Sequence, residues 1–292
     1  MEDIVIILIR GIGVGAIFAL VAMSFNIVHR SSGILSFAQG NMFILAGLFA
    51  FLMLPSVTNS LLWIALLPIV AIAVGLLVAF QGYITLLPLR SSVEQLSWMV
   101  TTLAAAIVIG ATILIAQGTS QLAVQSPFSS ARIFGIYIPT TYVMVIILAL
   151  LWYFGLRWFH TRTITGLAIS AIAQDVDAAR AAGINVRRLQ ITAFLISGVI
   201  VGSTGFVAAP VIAIANDSGI GYMINGFIAA VVGGLGSNLG SLLAGVLVGV
   251  ISFYSAYFFG GEFQNAVSLA LLIGVLMIRP QGVFGHAAAR RV

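Results

Sequence analysis

Residues 1–23 read MEDIVIILIRGIGVGAIFALVAM. This run is slightly longer than the roughly 20 residues that an α-helix needs to cross the hydrocarbon core of a bilayer. It is too long, too rich in glycine and too acidic at its start for a cleaved secretory signal, and no basic segment precedes its apolar part. We therefore predict that it forms the first membrane-spanning helix.

The rest of the chain repeats this apolar character. Of its 292 residues, 61% are hydrophobic and 7% are charged, a balance unlike that of soluble domains. Backbone in lipid must satisfy its own hydrogen bonds. These runs are far longer than barrel strands and do not alternate between apolar and polar residues, so the predicted fold is all-α. We expect a polytopic helical membrane protein with eight or nine membrane segments, forming a single domain over 1–292. The apolar runs cover approximately 4–28, 33–54, 61–87, 96–117, 136–158, 191–215 and 240–259, with shorter runs at 219–236 and 263–278.

The arginines predict the orientation of these segments. The net charge of +5 comes from arginine alone, because the chain has no lysine. Arginine in short loops marks the cytoplasmic side, and the loops 55–60 and 216–221 have none. Nine spans with the N terminus outside satisfy this pattern, with Arg132 as the exception; if 219–236 is half of a re-entrant hairpin, the number changes. The arginines that carry the pattern are Arg30, Arg90, Arg157, Arg162, Arg180, Arg187, Arg188, Arg279, Arg290 and Arg291.

Several kinds of chemistry are not expected. Without lysine the chain cannot form a Gly-x-x-x-x-Gly-Lys phosphate loop, so we predict no ATP site of its own and no enzyme activity. There is no cysteine, and the three histidines are far apart in sequence, so we predict no metal-ligating, cofactor-binding or catalytic residues. All acidic residues lie near segment ends or in loops, which disfavours an ion-coupled relay. We do not expect nucleic acid as a partner.

One polar stretch stands apart from the apolar runs. Residues 171–188 read AIAQDVDAARAAGINVRR, and seven charged residues lie between Arg157 and Arg188. We predict a cytoplasmic loop over about 159–190 that contains one amphipathic helix at 166–182, ended by Gly183. A solvated loop helix is one interpretation; a helix that docks into a groove of another protein is the other. The residues available to one face are Ala168, Ala171, Ile172, Ala179 and Ala182.

Polar side chains and glycine pairs inside the apolar runs suggest two further roles. Ser36, Gln39, Asn41 and Asn225 are candidates for lining a translocation path, because a polar solute needs mild polarity while it crosses. The alternative is that they make hydrogen bonds between helices.

Glycines four residues apart allow close helix packing, either within one subunit or between subunits. These pairs are Gly11 and Gly15, Gly198 and Gly202, Gly236 and Gly240, and Gly245 and Gly249.

Four segments resemble one known family. The segment 166–175 (GLAISAIAQD), with the alanines at 178–179 and the GIN at 183–185, resembles the coupling-loop signature of the membrane permeases of ABC importers for branched-chain amino acids. The segments 33–40 (GILSFAQG), 227–237 (FIAAVVGGLGS) and 279–285 (RPQGVFG) resemble other motifs of this family, in the same order. The length resembles the H-type subunit more than the longer M-type.

The resemblance implies a function and partners. The chain would be a permease subunit of an ATP-driven importer in the inner membrane of a bacterium or archaeon. It would work with a second homologous permease, two ATP-binding cassette ATPase subunits that bind ATP and Mg²⁺, and an extracytoplasmic solute-binding protein. The coupling helix that contacts an ATPase would include Gly166, Ala171, Gln174, Asp175, Ala179, Gly183, Ile184 and Asn185.

The sequence departs from the family pattern at three positions. Ser36 and Gln39 stand where the family usually has Asn and His, and Ser170 stands where it has a basic residue. The first departure bears on the substrate, which would be a branched-chain amino acid or a related small polar solute, with urea, short amides and small carboxylates as alternatives. A gradient-driven secondary transporter and a membrane scaffold are the rival classes.

Overall fold

The computed structural model describes residues 2–53, 60–86, 97–118, 120–128, 130–133, 136–215 and 217–285. Within these ranges the chain is almost entirely helical, with one short antiparallel hairpin of β1 (Ala131–Ile133) and β2 (Ile136–Ile138) and one 3-10 turn at Ala209–Val211. The helices are α1 (Glu2–Ser32), α2 (Gln39–Met53), α3 (Ser60–Leu86), α4 (Ser97–Gln117), α5 (Thr140–Arg162), α6 (Ile164–Gln174), α7 (Val176–Ala181), α8 (Val186–Ala208), α9 (Ser218–Gly233), α10 (Asn238–Phe259) and α11 (Phe263–Ile278).

Six of these helices are long and apolar enough to cross a membrane. They are α1, α3, α4, α5, α8 and α10. The apolar helices α2, α9 and α11 have 15 or 16 residues and are about 24 Å long or less, whereas the hydrocarbon core is about 30 Å thick. The predicted helical class is supported by this architecture and the nine apolar runs each form a helix, but the six long helices do not by themselves confirm eight or nine spans.

Helix α1 forms the centre of the bundle. Every residue from Gly15 to Val28 is buried, and α1 packs against α5, α8, α9 and α10. Helices α3 and α4 instead present large apolar side chains outward, among them Phe80 and Ile107. Apolar groups on the outside of a helical bundle suit contact with lipid rather than water. The chain is therefore built as a multi-pass membrane protein.

The glycine pairs pack helices within this chain. A Cβ placed on Gly249 of α10 would overlap with the Cα of Gly15 on α1, and one placed on Gly198 of α8 would lie 2.8 Å from the Cα of Gly75 on α3. Such backbone contact is possible because glycine has no side chain. The interpretation as packing within one subunit is supported for these pairs.

Several arginine-bearing elements meet at one end of the bundle, which we call the arginine-rich end. It contains the last turns of α1, α5, α9 and α11, the first turns of α8 and α10, and helices α6 and α7. The segment after Arg279 returns to α9 through a hydrogen bond from the Val283 N–H to the Val232 carbonyl oxygen (2.8 Å). Of the arginines used to predict orientation, Arg90, Arg290 and Arg291 lie outside the described residues.

Candidate functional site

The predicted coupling helix is two helices. The single helix expected over 166–182 is wrong, because the backbone at Asp175 is extended (φ −154°, ψ 111°) between α6 and α7. The Asp175 Oδ1 atom accepts hydrogen bonds from the backbone N–H groups of Asp177 (3.0 Å) and Ala178 (3.1 Å). A short acidic side chain that satisfies free N–H groups is a strong helix start, so it interrupts the alanine-rich helix here.

The predicted end at Gly183 is confirmed. Gly183 has φ +83°, a left-handed conformation in which glycine carries no Cβ penalty. Its N–H donates to the Arg180 carbonyl oxygen (2.9 Å), and the Ile184 N–H donates to the Ala179 carbonyl oxygen (3.1 Å), the two bonds of a Schellman motif. Asn185 then caps α8 by accepting from the Arg188 N–H at 3.1 Å. Residues 183–185 thus join α7 to α8 without a free loop.

The inner face of this unit is fixed to the bundle. Ile172, Ala179 and Val186 form a small buried cluster that joins α6, α7 and the start of α8. Gly166 is buried against the end of α5, where a Cβ at this position would overlap with the Phe159 carbonyl oxygen. Motion of α6 and α7 is therefore tied to α5 and α8.

The outer face of the unit is open and partly apolar. Ile164 is 88% exposed, and Leu167 and Val176 are also exposed. Of the predicted coupling residues, Gln174, Gly183 and Asn185 lie on this open side, while Ala171 and Ile184 are half-buried. Ala182, expected on the apolar face, is exposed, because the extended residue Asp175 interrupts the helical periodicity on which that expectation depends. Asp177 and Arg180, three residues apart on α7, form an ion pair at 3.4 Å, with both side chains exposed.

The polar residues before and within α2 lie inside the bundle. Gln39 is buried, and its Nε2 atom donates to the Ser197 Oγ of α8 (2.8 Å), which in turn donates to the Ser24 carbonyl oxygen of α1 (3.0 Å). Ser197 lies eleven residues into α8, which places this contact about 16 Å from the arginine-rich end. Helix α2 therefore begins deep within the bundle.

Two potential hydrogen-bonding atoms near this helix start lack a partner. The Ser36 Oγ and the Gln39 Oε1 atoms are fully buried and have no hydrogen-bond partner among the described residues. Buried polar atoms are nearly always paired, so these two are available to a passing group with complementary chemistry. Ser36 lies in the non-helical segment that enters α2.

The starts of α2 and α9 meet at this depth. A Cβ on Gly40 would overlap with the Gly219 carbonyl oxygen, and one on Gly219 would overlap with the Asn41 Oδ1. The Asn41 Nδ2 atom donates to the Ala106 carbonyl oxygen of α4. Two short helices thus begin side by side in the interior, each after a non-helical segment, with Asn41 between them and α4.

Asn225 is not part of this group. It lies about 9 Å further along α9 than Gly219. Its Nδ2 atom donates to the Gly221 carbonyl oxygen (2.9 Å) and to the Asn265 Oδ1 of α11 (3.2 Å), so its described bonds run to α9 and α11 rather than to α2. The structure therefore brings Ser36, Gln39 and Asn41 to one region and leaves Asn225 in another.

The sequence interpretation missed one interior residue. Asn26 of α1 is fully buried, and its Nδ2 atom donates to the Ser237 carbonyl oxygen (3.2 Å) and to the Ser241 Oγ (2.8 Å). Its Oδ1 atom accepts from the Gly236 N–H at 2.9 Å. The available signal was an amide near the end of the first apolar run, since such a group is buried only when it is bonded. Asn26 fixes the turn between α9 and α10 to α1.

No metal-binding group stands out in this arrangement. Across the ranges that the structure describes, no three His, Asp or Glu side chains come close enough together to hold a metal ion. The described part of the chain is a polytopic helical membrane protein with a capped helix pair at one end and a buried polar region at the start of two short helices.

The comparisons with known proteins give the family. Residues 7–276 match the family described as the permease component of the branched-chain amino acid transport system. The chain belongs to this family and is a transport subunit, so the resemblance carried by its motifs is confirmed. No solved structure was found to match the chain.

Curated relatives match along nearly their whole length. The high-affinity branched-chain amino acid transport system permease protein BraD of Pseudomonas aeruginosa is 27% identical over 98% of this chain and 97% of its own. The corresponding LivH protein of Escherichia coli K12 is 25% identical over 97% and 96%. A probable branched-chain amino acid transport permease protein LivH of Methanocaldococcus jannaschii is 27% identical over 92% and 89%.

Proposed function

We propose that this chain is the permease subunit of an ATP-driven importer for branched-chain amino acids or a related small polar solute. It forms half of a translocation path and receives movement from an ATPase through α6 and α7. The observation that carries this proposal is the capped unit around Asp175 and Gly183, packed onto α8 through Ile172, Ala179 and Val186 in a chain of this family.

Coupling would run along α8. We call α6, α7 and the residues 182–185 the coupling unit. Helix α8 starts in this unit, where Asn185 caps it, and its Ser197 holds Gln39 at the start of α2. A helix of this length moves as a rigid rod, so a tilt imposed at the arginine-rich end reaches the polar region. Nucleotide-driven closure of the ATPases would then bias the chain between an inward-open and an outward-open state.

The path would pass the starts of α2 and α9. Ser36 and Gln39 offer buried polar atoms that no described residue bonds, and Asn41 lies beside them where the two short helices meet. Neutral groups of this kind replace part of the water around a polar solute without holding it tightly. Asn225 would belong to a separate contact with α11.

Membership of the family supports a set of partners and a location. We propose a second homologous permease, two ATPase subunits that bind ATP and Mg²⁺, and an extracytoplasmic solute-binding protein, in a bacterial or archaeal inner membrane. The names of the relatives support branched-chain amino acids as substrates. The neutral Ser36 and Gln39 also suit urea, short amides or small carboxylates as alternatives, whereas a gradient-driven transporter has less support because it leaves the coupling unit without a role.

The test replaces Gly183 with leucine and compares it with Gly118→Leu. Both glycines have positive φ (+83° and +79°) and open space where a Cβ would stand, so both substitutions impose a similar backbone strain of about 1–2 kcal/mol. We expect Gly183→Leu to abolish solute uptake and stimulated ATP hydrolysis in proteoliposomes of the whole importer, with the permease still folded. Gly118→Leu should retain both activities. Normal uptake by Gly183→Leu would refute the coupling assignment.

A further inference from the structure

A cavity of about 960 Å³ opens at the arginine-rich end. It lies between the last turns of α1 and α5, the end of α6 and the first turn of α10. It is separate from the polar region at the start of α2, since neither Gln39 nor Asn41 lines it. Its polar lining includes His29, Arg30, Arg157, His160, Gln174 and Ser237.

The cavity carries positive charge that the described residues do not balance. Arg30 and Arg157 both line it, and none of the described lining residues is acidic. An ion pair within the described ranges joins Arg180 to Asp177, and neither of these two residues lines the cavity. The carbonyl ends of α1, α5 and α6 each contribute about half a negative charge, and the start of α10 contributes about half a positive one. The positive charge of the two guanidinium groups therefore exceeds the partial negative charge of the helix ends that face the cavity.

A buried side chain also lacks its bonds here. His160 is 8% exposed, and neither of its ring nitrogens has a hydrogen-bond partner among the described residues. It lines the same cavity as Arg30. An imidazole with free nitrogens beside two guanidinium groups offers a donor to an anionic oxygen, and arginine pairs well with phosphate because its donors form a planar fork.

The outer wall of the cavity borders the apolar surface of α5. Phe154 is three residues before Arg157 and therefore shares its side of the helix, and Trp158 follows Arg157 directly. Phe154 and Trp158 are 59% and 63% exposed. Aromatic side chains at the end of a membrane helix lie at the level of the lipid headgroups, where basic pockets between helices bind anionic lipids.

We propose that this cavity binds a phosphate-bearing anion and that the headgroup of an anionic phospholipid supplies it. Arg30 and Arg157 hold the phosphate, His160 donates a further hydrogen bond, and the acyl chains lie along Phe154 and Trp158. The site does not depend on the proposed transport function. It would fix the ends of α1 and α5 beside the coupling unit.

The test titrates the full chain, purified in mild detergent, with phosphatidylglycerol and phosphatidylcholine and counts bound lipids by native mass spectrometry. Both lipids carry a phosphate, but the choline cation of the second opposes the arginines. We expect phosphatidylglycerol to bind about tenfold more tightly, the size of one charged hydrogen bond. Arg157→Gln should remove this preference, and because Arg157 is exposed the variant should fold normally. Arg188→Gln, an exposed arginine outside the cavity, should keep it.

Further arms separate the sources of the anion. Arg30→Gln should weaken phosphatidylglycerol binding as Arg157→Gln does, which would support the site. Inorganic phosphate that binds with the same dependence on both arginines, without any lipid preference, would overturn the lipid as source. Equal lipid binding by the wild type and both variants would overturn the proposal. Variants that bind lipid normally but no longer retain ATPase subunits would also overturn it, because the cavity would then be a contact with another protein.

Discussion

The coupling unit and the start of α2 use polar groups in opposite ways. In the coupling unit, Thr163, Asp175 and Asn185 each accept hydrogen bonds from a helix start, and the outward surface is partly apolar. At the start of α2, Ser36 and Gln39 are buried and keep polar atoms that have no hydrogen-bond partner in the described part of the chain. Under the proposed function, local capping would make a stiff unit that transmits force, whereas unpaired interior groups would keep free bonds for a solute. The difference would then separate force transmission from solute contact.

The coupling unit should fail first if its attachment to α5 is broken. Gly166→Leu forces a side chain into the Phe159 carbonyl oxygen, so we expect the free energy of unfolding to fall by about 3 kcal/mol, the upper end for overpacking. Thermal unfolding of the purified chain measures this. The matched control is Gly155→Leu on α5, an exposed position where a Cβ meets nothing within 4 Å. Equal unfolding temperatures for Gly166→Leu and wild type would contradict the close contact between α5 and α6.

The interior polar region should respond in function rather than stability. Gln39→Leu removes one hydrogen bond to Ser197, worth about 1 kcal/mol, but it also removes a buried acceptor without a partner. We therefore expect a change in unfolding free energy within about 1 kcal/mol and a large loss of transport in the assembled importer. Binding-protein-dependent uptake and thermal unfolding are measured on the same preparation.

Ser197→Ala is the control for this substitution. It removes the same hydrogen bond, together with the one from the Ser197 Oγ to the Ser24 carbonyl oxygen, but leaves the Gln39 side chain in place, so uptake should fall less than in Gln39→Leu. If both variants lose uptake equally, Gln39 acts by holding α2 to α8 and not by contacting solute. Unchanged uptake in Gln39→Leu would remove Gln39 from the path.

Local chemistry explains which parts of the fold the sequence predicts well. Long apolar runs locate the helices because each run must cover its own backbone in lipid. Gly183 ends a helix by a rule that involves only its neighbours. Asp175 follows an equally local rule, because aspartate can cap a helix start. The surrounding alanines favour a continuous helix, however, so the sequence predicted one helix where the structure has two.

Contacts between distant segments explain what the sequence does not specify. The bond from Gln39 to Ser197 spans 158 positions, and those from Asn26 to Ser237 and Ser241 span 211 and 215. No spacing rule links such residues. Polarity in an apolar run identifies Gln39 and Asn26 as residues that need partners, but only the packed bundle identifies the partners and shows that Asn225 bonds elsewhere.

The smallest effects separate a structural cap from a surface charge within the coupling unit. Asp175→Ala removes the acceptor at the start of α7, and we expect the unfolding free energy to fall by about 1 kcal/mol. Asp177→Asn removes an exposed ion pair with Arg180, which contributes a few tenths of a kcal/mol at most. Denaturant titration in a fixed detergent measures both. Asp175→Asn should behave like wild type, because asparagine caps a helix start nearly as well as aspartate does. This substitution keeps the cap and removes the charge. A loss in Asp175→Asn as large as in Asp175→Ala would instead mean that the negative charge, rather than the cap, keeps α6 and α7 apart.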